Sequence, residues 1–177
     1  MPGTISIQPA EAGDSELIVT LIRALAIYEK LEHEVEVCAA DVEQHLFGER
    51  PAAEALIARH DGTAVGFALF FPNFSTWRGR PGLYLEDLFV APEHRGFGIG
   101  KALLIELARI AHKRNYARME WSVLDWNTPS IAFYERLGAV PMSGWTTFRL
   151  TDEALVQLAA EDFSSAADED EEDLTDA

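Results

Sequence analysis

The chain has 177 residues, 48% hydrophobic and 25% charged, a size and composition that suit one globular domain with a buried core. Its formal net charge of -16, from 14 basic and 30 acidic residues, argues against a nucleic-acid partner, because an acidic body repels phosphate backbones. The apolar runs fall short of the roughly 18–20 residues a membrane helix needs, the opening MPGTISIQPAEAGDSE lacks the basic and apolar stretches of a secretory leader, and the single cysteine, Cys38, permits no internal disulfide; together these predict a cytoplasmic protein with no membrane partner.

Ile5 and Ile7 alternate with polar residues and predict a first strand. Asp14 or Ser15 then suits a helix N-cap, and Leu17, Ile18, Leu21, Ile22, Leu25 and Tyr28 recur at helical spacing behind it. A short helix is expected over about 41–47, stopped by Gly48. EALIARH (54–60) and AVGFALFF (64–71) read as strands around the tight turn Asp61-Gly62. PNFSTWRGRPG reads as a loop, and LYLEDLFVA as a strand with two acids in its middle. Residues 99–113 carry a broad apolar face at helical period, and 117–124 read as a strand. Asn127-Thr-Pro129 opens a helix that Gly138 ends, since Asn caps well and Pro suits the first turn. Two short strands, about 139–142 and 145–150, and a helix from Thr151 to about Ala160 complete the pattern. The result is a mixed α/β or α+β sheet flanked by helices, in one domain over 1–160. Residues 161–177 hold 9 Asp/Glu and no Lys/Arg; they read as an acidic, disordered tail and leave the body 21 acids against 14 bases. That body also attracts cations, which suits a cationic substrate or simply keeps the protein soluble.

The chemistry concentrates in VAPEHRGFGIGK, residues 90–101, where a strand enters a glycine-rich turn that opens a helix. Amides at a helix start lack partners, the helix dipole makes that end positive, and glycines let the backbone come close to an anion. Arg95 and Lys101 add charge, so the turn suits a pyrophosphate, although such a turn also occurs without any ligand. Gly96, Gly98 and Gly100 stand two apart, which breaks the dinucleotide fingerprint, and no GK followed by Ser or Thr completes a P-loop. The five histidines show no metal-ligand spacing, so no metal is expected, and Cys38 has no evident base to make it a nucleophile.

Arg95-Gly96-x-Gly98-x-Gly100 resembles the R/Q-x-x-G-x-G/A pyrophosphate loop of the Gcn5-related N-acetyltransferases. LYLEDLFV before it, LDWNTPSIAFYERLGA after it, IRALAIYEKLE near the start and the Gly-Trp before the last strand are similar to the diamine (spermidine/spermine) N-acetyltransferases. The resemblance covers most of residues 4–160. It implies their fold, a mostly antiparallel twisted sheet flanked by helices, acetyl-CoA as co-substrate, direct acetyl transfer to a primary amine, and a homodimer.

The resemblance also implies roles. Leu88, Phe89 and Val90 match the strand that pairs with the pantetheine arm, where plain core packing is the other reading. Arg95, Gly96, Phe97, Gly98, Ile99, Gly100 and Lys101 match the pyrophosphate loop. Asn127 and Ser130 match positions beside coenzyme A, and Arg136 a phosphate contact or a solvated surface arginine. Tyr134, seven residues from Asn127 and so on the same helix face, matches the tyrosine that protonates the leaving thiolate, with ring packing as the alternative. Glu86 matches the acceptor-site acid that holds the ammonium and takes its proton through water; a structural carboxylate is the competing reading. Asp87 faces the other way on an ordinary strand and either supports Glu86 or lines the amine pocket. Tyr28, Glu29, Glu120, Trp121, Trp77 and Trp145 match acceptor-side positions, each with packing or surface exposure as its alternative. Ser75 in STWRGR and Met142-Ser143 stand where polyamine-preferring members carry acids, and STWRGR and VLDWN are nearer the thialysine-preferring branch. The competing functions are a peptide or protein N-acetyltransferase and a non-catalytic acyl-CoA-binding module.

Overall fold

A computed structural model of the chain describes residues 3–161, which fall into two compact units divided after Trp126. The acidic tail expected from residue 161 onward lies, beyond Glu161, outside the described residues. No helix among the described residues is long and apolar enough to cross a membrane.

The first unit is built on a five-stranded sheet in the order β1 (Ile5–Pro9), β2 (Glu54–His60), β3 (Thr63–Ser75), β4 (Arg80–Val90) and β5 (Met119–Trp121). All pairs are antiparallel except β4 with β5, which gives the expected mixed, mostly antiparallel sheet. Asp61 and Gly62 both take positive φ, 50° and 81°, the geometry a two-residue hairpin turn requires. Helix α1 (Ser15–Glu29) and helix α2 (Ala39–Phe47) cover one face. Ile18 and Val19 of α1 and Val42 of α2 pack on Ala55 and Ile57, and Leu21 and Leu25 pack on Phe67 and Phe89. By strand alternation Leu56, Ala58 and Ala68 point to the opposite face and are also buried, and there helix α3 (Ile99–Lys113) lays down Ile99, Leu103, Leu104, Leu107 and Ala111.

Three expectations need correction in this unit. The segment read as a loop is ladder: Asn73 pairs with Gly82 and Ser75 with Arg80, and only residues 76–79 turn. Its polar residues suggested a loop because their partners lie in the other strand; buried Ser75 Oγ accepts from Arg78 N at 3.3 Å and from Arg118 Nη1 at 3.2 Å. Asp14 makes no side-chain cap for α1; its carboxylate instead accepts from Glu11 N at 2.9 Å and closes a short 3-10 turn, while Ser15 Oγ turns to Glu43 at 2.6 Å. The strand expected over 117–124 shrinks to three residues, because β5 pairs only with Leu83, Tyr84 and Leu85, immediately before β4 bulges.

The second unit begins with helix α4 (Thr128–Arg136) and ends its described part with helix α5 (Asp152–Ala160). Asn127 caps α4 as predicted, its side chain accepting from Ser130 N at 3.4 Å, and Gly138 follows the helix at φ 90°. The two strands expected over 139–150 are absent: the segment carries no strand assignment. A strand needs a ladder partner; the backbone bonds here are turn contacts, Ala139 N to Tyr134 O at 3.1 Å and Trp145 N to Met142 O at 3.2 Å, and Val140, Met142, Trp145 and Phe148 are exposed.

Candidate active site

The site is assembled along the second half of β4. From Leu83 to Leu85 that strand pairs with both β3 and β5; beyond Leu85, to Val90, it keeps β3 and, among the described residues, has no ladder partner on the β5 side. The change falls at a β-bulge. Leu69 pairs with Asp87 and Phe70 with Leu85, so Glu86 is the extra residue, exposed and opposite nothing. Strand alternation therefore fails as a guide to Glu86 and Asp87 at the very place where they matter. Phe89 points into the core against α1, which is the packing reading of that residue, while Leu88 and Val90 are only half-buried. An unpaired strand edge offers amide and carbonyl groups to any extended, amide-bearing chain.

Beyond Val90 the backbone passes a short turn (Pro92–His94) and reverses through Gly96 and Gly98, at φ 84° and 85°. A Cβ added to either would meet nothing within 4 Å, so what the turn requires of these glycines is backbone conformation and clear space, not packing. Gly98 caps α3, whose ladder begins with Ala102 N donating to Gly98 O at 2.9 Å. The amides of Ile99, Gly100 and Lys101 thus have no acceptor in the helix and face the dipole-positive end. Arg95 and Lys101 are exposed beside them. This clear, electropositive cradle fits a diphosphate. The loop is also tied to the rest of its unit: His94 Nδ1 lies 3.1 Å from His60 Nδ1, and Phe97 sits 5.1 Å from the His60 ring. His60 and His94 were not assigned to the site by sequence, and residues 34 positions apart give no pattern to read.

Three carboxylates gather near the bulge. Burial, then the neighbouring Glu86 and Glu29 charges, push Asp87 up to about 6. Burial also raises Glu29, in the last turn of α1. Tyr28, beside Glu29, lies under the Arg95 guanidinium, whose Cζ is 4.2 Å from its ring centroid, and 6.1 Å from the ring of Trp126. Trp126 is a site neighbour that the sequence reading passed over; its only signal is the word VLDWN. Acids that repel one another and rings that accept cations make a place suited to an ammonium.

The other expected residues lie on further elements. Glu120 Oε2 accepts from Arg118 Nε at 2.7 Å and from Asn73 Nδ2 at 2.9 Å, so its charge is already matched. That bridge from β5 to β3 crosses Gly82, where a Cβ would sit 2.5 Å from Asn73 Oδ1. Trp121 follows on β5, half-buried. Trp77 is 89% exposed at the tip of the β3–β4 hairpin. In the second unit Asn127 is buried, Ser130 and Tyr134 are half-buried, and Arg136 is exposed, all on α4, with the Tyr134 ring 5.4 Å from Phe133. Trp145 is 68% exposed in the segment without strands.

A half-unpaired strand running into a glycine cradle at a helix start suits the amides and diphosphate of an acyl-coenzyme A, as an acyltransferase needs. The chain belongs to the acetyltransferase (GNAT) family, which it matches over residues 22–139. It is 36% identical over 166 residues to the thialysine N-epsilon-acetyltransferase of Bos taurus, spanning 88% of this chain and 97% of that protein. It is 43% identical over 96 residues to the L-ornithine N5-acetyltransferase NATA1 of Arabidopsis thaliana, spanning 54% of this chain and 42% of that one. The solved structure of an integron cassette protein from V. cholerae shares the fold at a TM-score of 0.75 and 25% identity, covering 89% of this chain and 98% of the other.

Proposed function

We propose that the protein moves the acetyl group of acetyl-CoA to a primary amine of a small molecule, a thialysine-like amino acid or a short di- or polyamine, by direct attack within a ternary complex. The observation that carries this reading is the edge of β4 left unpaired from residue 86 to Val90 and continuous with the cradle at Gly96 and Gly98. The edge suits the two amides of a pantetheine arm and the cradle suits its diphosphate. The co-substrate supplies the acetyl thioester. A backbone N–H of the edge supports the oxygen that gains charge as the C–N bond forms and the C–S bond breaks. Glu86, exposed in the bulge, accepts the proton leaving the amine through water, and Asp87, Glu29 and Tyr28 hold the ammonium form before it reacts. Tyr134 returns a proton to the thiolate, with Asn127, Ser130 and Arg136 beside the coenzyme.

Ser75 supports a short amine over a long polycation, because the position that would hold a further acid is a buried hydroxyl already bonded to Arg78 and Arg118. The names of the Bos taurus and Arabidopsis relatives, both acting on amino acids with a side-chain amine, point the same way. The protein acts in the cytoplasm as a homodimer; exposed Val140, Met142, Phe148 and Leu155 supply apolar surface for a second copy.

The test is an amine panel read by free-thiol release, with thialysine, ornithine, putrescine, spermidine, lysine and an unblocked peptide. Thialysine or another short amine is expected to give the highest kcat/KM. Turnover on the peptide alone would assign a peptide acetyltransferase, and no turnover on any amine despite coenzyme A binding would assign a binding module.

A further inference from the structure

The Arg95 guanidinium is held in two ways. Its Nε donates to Val90 O, at the end of β4, at 3.0 Å, and its Cζ lies over the Tyr28 ring, 4.2 Å from the centroid. A guanidinium uses its face and its edge independently: the face stacks while the N–H groups donate in the plane. One of five N–H donors is committed to Val90, and the Nη groups of this exposed residue, next in sequence to Gly96, are the donors left for a phosphate. Tyr28 belongs to the last turn of α1 and precedes Glu29, one of the charges that raise Asp87. One side chain of the diphosphate loop therefore rests on the helical turn that carries the amine-side acids.

We propose that Arg95 is a positioning residue for the amine as well as a diphosphate ligand: stacked on Tyr28 while its outer edge holds phosphate, it makes the two substrates bind cooperatively. This rests on the function proposed above. A phosphate on the Nη groups immobilises the guanidinium, the guanidinium immobilises the ring, and the ring fixes the turn that holds Glu29. By linkage the effect runs both ways: an amine that orders the turn tightens coenzyme binding by the same factor. A cation–π contact of this kind supports a coupling of about two- to fivefold.

The experiment titrates coenzyme A calorimetrically, with and without saturating thialysine, into the unsubstituted chain and into Tyr28→Phe, Tyr28→Leu and Arg95→Lys. Thialysine is expected to tighten coenzyme A about two- to fivefold in the unsubstituted chain and in Tyr28→Phe, which keeps the ring face. Tyr28→Leu should weaken coenzyme A by about the same factor, although the change lies on α1, and should abolish the tightening. Arg95→Lys keeps the charge and loses the plane; it too should abolish the tightening, and it tests the coupling from an exposed loop position should Tyr28→Leu fold poorly. The amine KM at saturating acetyl-CoA should rise in both uncoupled variants with little change in kcat. Unchanged coenzyme affinity in Tyr28→Leu, or full tightening retained in Arg95→Lys, overturns the coupling alone. Failure of the unsubstituted chain to bind coenzyme A overturns the proposed function and the coupling with it.

Discussion

The two halves of β4 divide structure from chemistry. From Leu83 to Leu85 the strand pairs on both sides, Leu83 and Leu85 are essentially inaccessible, and just before them Gly82 is small enough to let Asn73 reach Glu120. From Glu86 to Val90 it has one neighbour, an exposed acid in a bulge, a half-buried acid with a raised pKa, and an edge that ends in the glycine cradle. The first half is held by the packing of Leu83 and Leu85. The second keeps polar groups that packing alone would reject, because the neighbouring strand stops before it. Withdrawing one partner strand turns a core element into a surface that presents backbone groups and charge.

The sharpest test of that division is Glu86→Gln. The bulge leaves this side chain exposed, so the substitution should cost little stability, with a melting temperature close to the parent. A general base contributes about 10²–10⁴-fold, so kcat/KM should fall by about that factor, and the pH dependence assigned to the base should disappear from the rate profile. Parent-like activity would remove Glu86 from the chemistry. Leu83→Ala is the mirror experiment in the first half. Leu83 is 0% exposed, and deleting its side chain should destabilise the fold by about 2–5 kcal/mol in chemical denaturation. The remaining folded protein should retain a near-parent amine KM; a large change in KM with intact stability would mean that the halves are not separable.

How far the sequence carried this division depends on what each element needs. Helix α3 is legible to the residue, because its amphipathic stripe and its glycine start are local. The Asp61-Gly62 turn is legible for the same reason. The extension of the β3–β4 hairpin through Pro72, Asn73 and Ser75 is not, since those residues are held by pairing with residues 80–83 and by Arg118, and nothing local distinguishes that from a loop. The bulge at Glu86 is hidden likewise: a one-residue register shift is a property of two strands, while the pattern LYLEDLFV belongs to one. The glycine turn before α3 is readable as a motif, because the positive φ of Gly96 and Gly98 is a local need. The carboxylate cluster was readable only in part, because the influence of Glu29 on Asp87 depends on how α1 lies against the sheet. Residues 139–150 carry no strand assignment, and nothing local in them specifies a partner.

Asp87→Asn probes the cost of keeping a charge in the second half. With its pKa raised from 3.8 to about 6, the ionised form is disfavoured in the folded chain. Stability is therefore highest, as far as this group is concerned, below about pH 4, and is lost as the pH rises through 6. Asparagine cannot ionise. The variant should match the parent near pH 4 and exceed it by about 1–2 kcal/mol at pH 8 in denaturation experiments. It should also bind amines more weakly at pH 8, where the parent carries the charge. A variant less stable than the parent at pH 8 would show that Asp87 is a structural acceptor.

Gly98→Ala should have the smallest effect on the fold and a selective one on the cradle. At φ 85° alanine is strained by about 1–2 kcal/mol, and no neighbour lies within 4 Å of the new Cβ to add a clash. Stability should thus fall by no more than that conformational cost. The methyl group would instead stand in the clear space before the free amides of α3, where a diphosphate must come close. Coenzyme A affinity, measured by calorimetry, should drop by about tenfold, several times more than that of a pantetheine fragment lacking the diphosphate. Equal losses for the two ligands would mean that the alanine had disturbed the β4 edge, and the cradle would then not be a separate determinant. A loss confined to the diphosphate-bearing ligand would divide the second half of the site in turn, into an edge that reads amides and a helix start that reads charge.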